Sequence, residues 1–185
     1  MNTNPIAAIT MRSGARIVIE LRPDAAPNTV MSFISLAGKG AFDNHRIQRI
    51  VPGYVADMSY DAFGKECCKY LIANEAPNGI SVEPGVIAMG GYGGDIAGGE
   101  FFFPLARSEK LDGHYPAFGI IKSGLDEVLS WGELPLRPVP YPADPSVVVN
   151  EPISPLVIER VRVDTFGVVY PEPVKKEMVR RPPSW

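Results

Sequence analysis

A mainly β domain, closed as an antiparallel barrel or packed as a sandwich, is the architecture that this sequence predicts. Three observations predict it. Apolar residues come in short runs bounded by Gly, Pro or Asp, as strands and turns require. Only two segments carry a helical pattern, and nothing alternates in a βαβ rhythm. The 185 residues include 19 prolines and 18 glycines. That argues against a long helical bundle, because interior proline removes a helix hydrogen bond and clashes with the preceding turn. The length suits one domain, or one with an extension.

Residues 6–11 and 16–21 read as two strands, the second placing Ile17, Ile19 and Leu21 on one face, with a hairpin turn at Ser13-Gly14. After Pro23 the period changes. Val30, Phe33, Ile34 and Ala37 recur at helical spacing, Pro27 suits the first turn and Gly38 suits the stop, so an amphipathic helix covers the sheet. Strand candidates follow at 47–51, 54–56, 86–89, 101–105 and 118–121, then a short helix at 125–131 and a late strand carrying Val157, Ile158, Val161 and Val163. Seven prolines fall within residues 134–155. Proline fixes φ and restrains the residue before it, which predicts an extended surface loop there. The domain is expected over 1–167, with that loop inside it. Residues 168–185 read as a C-terminal extension whose Pro171, Pro173, Pro182 and Pro183 suit an arm, mobile or ordered on contact.

Several functions are disfavoured at once. The net charge of −3 gives no concentrated basic face for nucleic acid. Lys175, Lys176, Arg180 and Arg181, interrupted by Glu177, read as a solvated surface. Met1 to Thr10 has neither a basic segment nor an apolar core, and no run approaches eighteen apolar residues, so a soluble cytoplasmic protein without membrane contact is expected. Cys67 and Cys68 are adjacent, which excludes a disulfide scaffold; a redox role is the alternative to two incidental loop thiols. His45 and His114 are expected in surface loops. No G-x-S-x-G, H-E-x-x-H or spaced Cys pair occurs, so neither a nucleophilic triad nor a metal site is expected.

Two segments carry more information. Gly90-Gly91-Tyr92-Gly93-Gly94 is not a phosphate loop: no Gly-Lys-Ser/Thr follows, and the G-x-G-x-x-G register lands on Ile96. It reads as a turn where the backbone approaches another chain, such as a bound peptide. In Ile47-Gln48-Arg49-Ile50-Val51-Pro52-Gly53-Tyr54-Val55 a lone arginine opens an apolar strand that stops at Pro-Gly and resumes with an aromatic residue. By itself that is also what an edge-strand arginine paired with a carboxylate looks like. Further along come Gly85-Val86-Ile87-Ala88-Met89, the glycine run, Glu100-Phe101-Phe102, and Leu111-Asp112-Gly113 through Phe118-Gly119.

In this order, and with Ala26-Pro27-Asn28-Thr29-Val30, Phe33 and Leu36 before them, these segments resemble the cyclophilin family of peptidyl-prolyl cis–trans isomerases over residues 6–166. The resemblance implies a closed eight-stranded antiparallel barrel capped by two α-helices. It implies rotation about X-Pro bonds without a cofactor, acting on proline-containing peptides or unfolded protein chains. By motif position Arg49 is the catalytic group and Tyr54, Val55, Phe102 and Leu111 line the proline pocket. Gly90, Gly91, Asp57, Glu100, Lys110 and Tyr115 occupy the remaining substrate-binding positions.

Departures from the family pattern shape the expectation. Gly90-Gly91 replaces Ala-Asn, Asp57 and Glu100 replace Gln, Gln48 and Tyr115 replace His, and Val55 replaces Met. Lys110 replaces a Trp that often contacts cyclosporin, so weak or no cyclosporin binding is expected. Two acids near Arg49 can orient its guanidinium or draw it from the substrate. The alternative reading is therefore a catalytically weakened cyclophilin-like module that binds peptides. The proline-rich loop or arm is a further candidate to occupy the groove of its own chain or a neighbour.

Overall fold

The computed structural model describes residues 3–58, 65–92, 94–141 and 144–177. Gly93, Arg180, Arg181, Pro182 and Pro183 lie outside them. Strands β1 (Ile6–Met11) and β2 (Arg16–Leu21) each bury every second residue, as their alternation requires. Next come α1 (Pro27–Gly38), β3 (His45–Ile47), β4 (Arg49–Val51), β5 (Val55–Asp57) and β6 (Leu71–Ile72). They are followed by β7 (Val86–Tyr92), β8 (Asp95–Pro104), β9 (Ala117–Ser123), α2 (Leu125–Ser130), β10 (Leu136–Tyr141), β11 (Asp144–Pro152) and β12 (Leu156–Asp164).

One ten-stranded antiparallel sheet runs β3-β12-β1-β2-β9-β7-β8-β5-β4, with β6 attached to β8. Its two end strands are consecutive in the chain. At Gln48 the chain changes partner: Ile47 pairs with Leu156 on β12, whereas the Gln48 N–H donates to the Asp57 carbonyl at 2.9 Å and Arg49 pairs with Asp57 on β5. The sheet thereby curls into a nearly closed barrel. The one strand expected over 47–51 is thus split by a change of partner. Counting β3 and β4 as one interrupted strand, and β6 as a two-residue addition, leaves eight, the number that the resemblance implies.

Helix α1 spans the limits expected from Pro27 and Gly38 and buries Val30, Phe33, Leu36 and Ala37. Phe33 stacks on Phe42 at 5.2 Å and meets Phe101 and Phe118 at 5.7 and 5.3 Å between ring centroids. Ala26 cannot cap the helix. Instead the Glu75 carboxylate accepts from the backbone N–H groups of Asn28 and Thr29 at 2.9 and 2.8 Å and from the Thr29 hydroxyl at 2.7 Å. A negative group at these unpaired donors also complements the helix dipole. Within the fold, Ser32 donates to the Gly98 carbonyl and lies 2.6 Å from the Tyr70 hydroxyl, whose pKa burial pushes up to about 12.

Three local expectations are corrected. Residues 134–155 form not a loop but mainly the β10–β11 hairpin, with Pro138 opposite Asn150 and Pro140 opposite Val148. Residues two apart in a strand direct their backbone N–H groups to the same edge, so both prolines can spare the same side of a two-stranded ribbon. His45 is not on the surface: it lies in β3, only 2% exposed. Cys67 and Cys68 lie in a 3₁₀ turn with sulfurs 3.9 Å apart, Cys67 exposed and Cys68 buried. Burial, with the neighbouring Cys67, pushes the Cys68 thiol up to about 12. The second helix ends as expected near 130, continuing as a 3₁₀ turn that buries Trp131.

Residues beyond β12 follow α1 toward β6. Glu172 accepts from Ser35 and Lys39, Val174 exchanges hydrogen bonds with the Asn28 side chain at 2.8 and 3.0 Å, and Lys176 bridges Leu71. Pro173 is buried. Among the described residues no helix is long and apolar enough to cross a membrane. Loss of the remote cap should be measurable: Glu75→Ala is expected to lower stability by about 1–2 kcal/mol in urea unfolding, within the range of lost helix caps. An unchanged midpoint would show that water replaces the carboxylate at no cost.

Candidate active site

Register assembles the site. Arg49 on β4 stands opposite Asp57 on β5, Asp57 opposite Phe102 on β8, Phe102 opposite Ala88 on β7, and Ala88 opposite Ala117 on β9. Directly opposed residues share a face of the sheet, so these five form one row across the barrel wall. Phe101 and Phe103 face the core with Phe33, Phe42 and Trp131, which sends Phe102 to the outside. Two strand spacings, about 9.6 Å, separate the backbones of Arg49 and Phe102. A long guanidinium can reach back over that interval.

Around Phe102 a second apolar cluster, separate from the main core, gathers Val55, Val82, Val86, Ala88, Leu111 and Ala117, with Val51, Tyr54, Ile80 and Tyr115 packed against it. Tyr115 meets Phe102 edge-on, ring centroids 5.7 Å apart and planes at 87°. Four pocket positions expected from the sequence, Tyr54, Val55, Phe102 and Leu111, are therefore brought together, and Tyr115 with them. Burial raises the Tyr54 phenol above its ordinary value; Tyr115 adds to the shift and Arg49 opposes it.

The polar side is built on an ion pair. Arg49 donates from one terminal nitrogen to Asp57, the side chains being 15% and 10% exposed. Glu100 is buried on β8, two residues before Phe102 and against Gly90 of β7. Lys110 is exposed on the turn before Leu111, outside the apolar cluster.

Gln48, at the break between β3 and β4, is tied to the proline-rich hairpin. Its side-chain amide lies 3.5 Å from Glu151 on β11, and Glu151 in turn accepts two hydrogen bonds from Arg137 on β10 at 2.6 and 2.9 Å. Gly91 has no room for a side chain: a β-carbon there would fall 2.6 Å from the Asp95 carbonyl and 2.7 Å from Ile96. At Gly90 it would stand 3.0 Å from the Glu100 carbonyl. The pair therefore offers backbone alone. Ile80, Val82, Val86 and Ala88 were missed by the sequence reading of the site. Val86 and Ala88 lie in the quoted segment from Gly85 to Met89 without being singled out there, whereas Ile80 and Val82 reach the cluster through the long segment between β6 and β7, anchored by Asn78 on the Ala117 carbonyl and by the Val82 N–H on Asp112.

Comparisons with known proteins bear on the family and the fold. A family model, cyclophilin type peptidyl-prolyl cis–trans isomerase, matches residues 6–163. Peptidyl-prolyl cis–trans isomerase B of Bacillus subtilis is 33% identical over 118 residues, 63% of this chain and 82% of that protein. Peptidyl-prolyl cis–trans isomerase-like 1 of Gibberella zeae is 28% identical over 137 residues, 71% of this chain and 83% of that protein. Among solved structures, a Cryptosporidium parvum cyclophilin-type isomerase crystallised in the presence of the dipeptide Ala-Pro is similar in fold, with a TM-score of 0.69 at 17% identity, covering 86% of this chain and 98% of that one.

The crowding at Gly91 yields a test of whether Asn at this position is compatible with the strand pairing. Gly91→Asn is expected to destabilise the protein by about 1–3 kcal/mol, the cost of overpacking a closed site, read from thermal or urea unfolding. Equal or higher stability would show that the β7–β8 hairpin opens without penalty.

Proposed function

The chain belongs to the cyclophilin-type peptidyl-prolyl cis–trans isomerase family, and we propose that Arg49 and the Phe102 pocket perform its isomerisation. The observation that carries this reading is the row itself, a guanidinium and an apolar cluster on one outward face of neighbouring strands. Amide resonance gives the X-Pro bond a rotational barrier of about 18–20 kcal/mol. When that bond twists, the proline nitrogen loses conjugation and its lone pair becomes a better acceptor. A donor aimed at the nitrogen binds the twisted state more tightly than either planar state, which is the condition for catalysis. The apolar cluster holds the pyrrolidine ring, and the backbone at Gly90 and Gly91 aligns the peptide. Substrates are proline-containing peptides, including those of unfolded chains.

Asp57 favours a second reading. Its ion pair with Arg49 can hold the fork in line with the substrate nitrogen, or compete with that nitrogen and leave a peptide-binding module of low activity. A protease-coupled isomerisation assay separates the two. Arg49→Ala is expected to lower kcat/KM by about 10²-fold, as for loss of a donor to developing electron density. Rates of wild type and variant both equal to the uncatalysed rate would overturn the isomerase reading. A gain in rate for Asp57→Gln would favour the restrained module.

The pH profile gives an independent check. Tyr54 is held neutral above its ordinary range, and the mechanism moves no proton. Accordingly kcat/KM is expected to vary less than about twofold between pH 6 and 8; a steep single-proton dependence would count against it. Lys110 in place of an aromatic side chain leaves cyclosporin without a stacking surface, and calorimetry is expected to show weak or no binding.

A further inference from the structure

We propose that Glu151, held by Arg137 on the proline-rich hairpin, is a positioning residue for Arg49 and acts on it through Gln48. The inference deepens, and rests on, the reading of Arg49 as the group that donates to the substrate proline. It begins with a carboxylate in an apolar row. On β11 Val148 is 62% exposed and Asn150 is exposed, whereas Val149 and Glu151 are buried. Residues two apart in a strand share a face, so Glu151 stands in the inward row beside Val149, where an apolar side chain would pack without electrostatic cost. A carboxylate there needs partners, and it has them on both oxygens. Oε1 accepts from Nε and a terminal nitrogen of Arg137, the residue directly opposite on β10, at 2.9 and 2.6 Å. Oε2 lies 3.5 Å from the side-chain nitrogen of Gln48.

Gln48 is the corner on which the site turns. It is buried, it precedes Arg49, and at this residue the chain leaves β12 for β5, its backbone N–H donating to the Asp57 carbonyl. Strand β4 is three residues long and ends the sheet order, with β5 beside it. Support also comes from outside that sheet: β11 packs against β4 while belonging to the separate β10–β11 ribbon. The Glu151 carboxylate ties the corner to this ribbon, so Arg49 and Asp57 are kept from swinging together away from the Phe102 cluster.

The demand for such a tie follows from reach. A guanidinium that extends over about two strand spacings magnifies a tilt of the short strand that carries it. Displacement of a reacting group by about 1 Å can cost about 10²-fold in rate. Stability makes no comparable demand, since replacing a buried ion pair by apolar side chains of similar volume is often neutral or stabilising. Position and stability therefore separate experimentally.

The test uses the full chain and two variants. Arg137→Leu/Glu151→Val removes the carboxylate, and Glu151→Gln keeps an acceptor for Arg137 and a polar group for Gln48. For the apolar variant the urea midpoint is expected to be no lower than that of wild type, with KM within about twofold and kcat at least about fivefold lower. Glu151→Gln is expected to recover at least about half of the lost kcat. In an Arg49→Ala background the apolar pair is expected to cause no further loss, because it acts through the missing side chain. The heteronuclear NOE of the Arg49 Nε–H group, read in isotopically labelled protein, is expected to fall in the apolar variant and not in Glu151→Gln. Unchanged kcat in the apolar variant, a loss matched by the loss of folded protein, or an equal loss without Arg49 would overturn the proposal and leave the isomerase reading intact. Should wild type itself lack turnover, the isomerase reading falls; a lowered NOE would then leave the positioning of Arg49 standing, and an unchanged one would remove both.

Discussion

Three consecutive phenylalanines in β8, Phe101, Phe102 and Phe103, cannot all face the interior, because successive side chains of a strand point to opposite faces. Two enter the core and the middle one joins the second, outer cluster. The choice of which is fixed upstream, at Gly98 and Gly99. A β-carbon at Gly98 would fall 2.3 Å from the Tyr70 ring, and one at Gly99 would fall 2.7 Å from Leu36 on α1. A slip of one residue would drive Ala97 or Glu100 into those spaces and turn Phe102 inward. The helix and the β6 approach thus hold the register that makes the outer row of Arg49, Asp57 and Phe102 possible. Barrel stability and site geometry are one constraint seen from two faces.

How much was legible in the sequence follows from how local each signal is. Helix α1 was readable to its end residues, since Pro27, the spacing of Val30, Phe33 and Ala37, and Gly38 are all local. Strands β1 and β2 announce themselves by alternation. Arg49, Tyr54, Val55, Phe102 and Leu111 were found because their order along the chain resembles a family, and the fold brings the four apolar ones into one cluster beside Arg49. No periodicity in the sequence would have connected residue 49 to residue 102. That link is a strand pairing, and pairing partners are not written in either strand alone.

What escaped the sequence has the same cause. Glu75 caps a helix that begins 48 residues before it in the chain, so no capping box could reveal it. His45 was expected in a surface loop, yet β12 draws it into the sheet. The density of prolines in 134–155 pointed to a loop when their spacing mattered more. Pro138 and Pro140, two residues apart, remove donors from the same edge of β10, and the strand still pairs with β11. That blunted edge also protects a two-stranded ribbon from pairing with a further chain.

The ion pair at Arg49 exposes a tension that an amide at residue 57 would not create. A guanidinium desolvated beside an apolar cluster is costly unless compensated, and Asp57 supplies the compensating charge. A carboxylate can only accept, so it fixes the fork more firmly than an amide of the same reach. The same compensation withdraws positive charge from the N–H groups that are proposed to donate to a twisted proline nitrogen. Orientation therefore improves as donor strength falls. Neither effect cancels the other by necessity, because orientation contributes through the entropy of reaching the transition state and donor strength through its electrostatic stabilisation. In the proposed mechanism, Asp57 opposite Arg49 shifts weight from the second to the first.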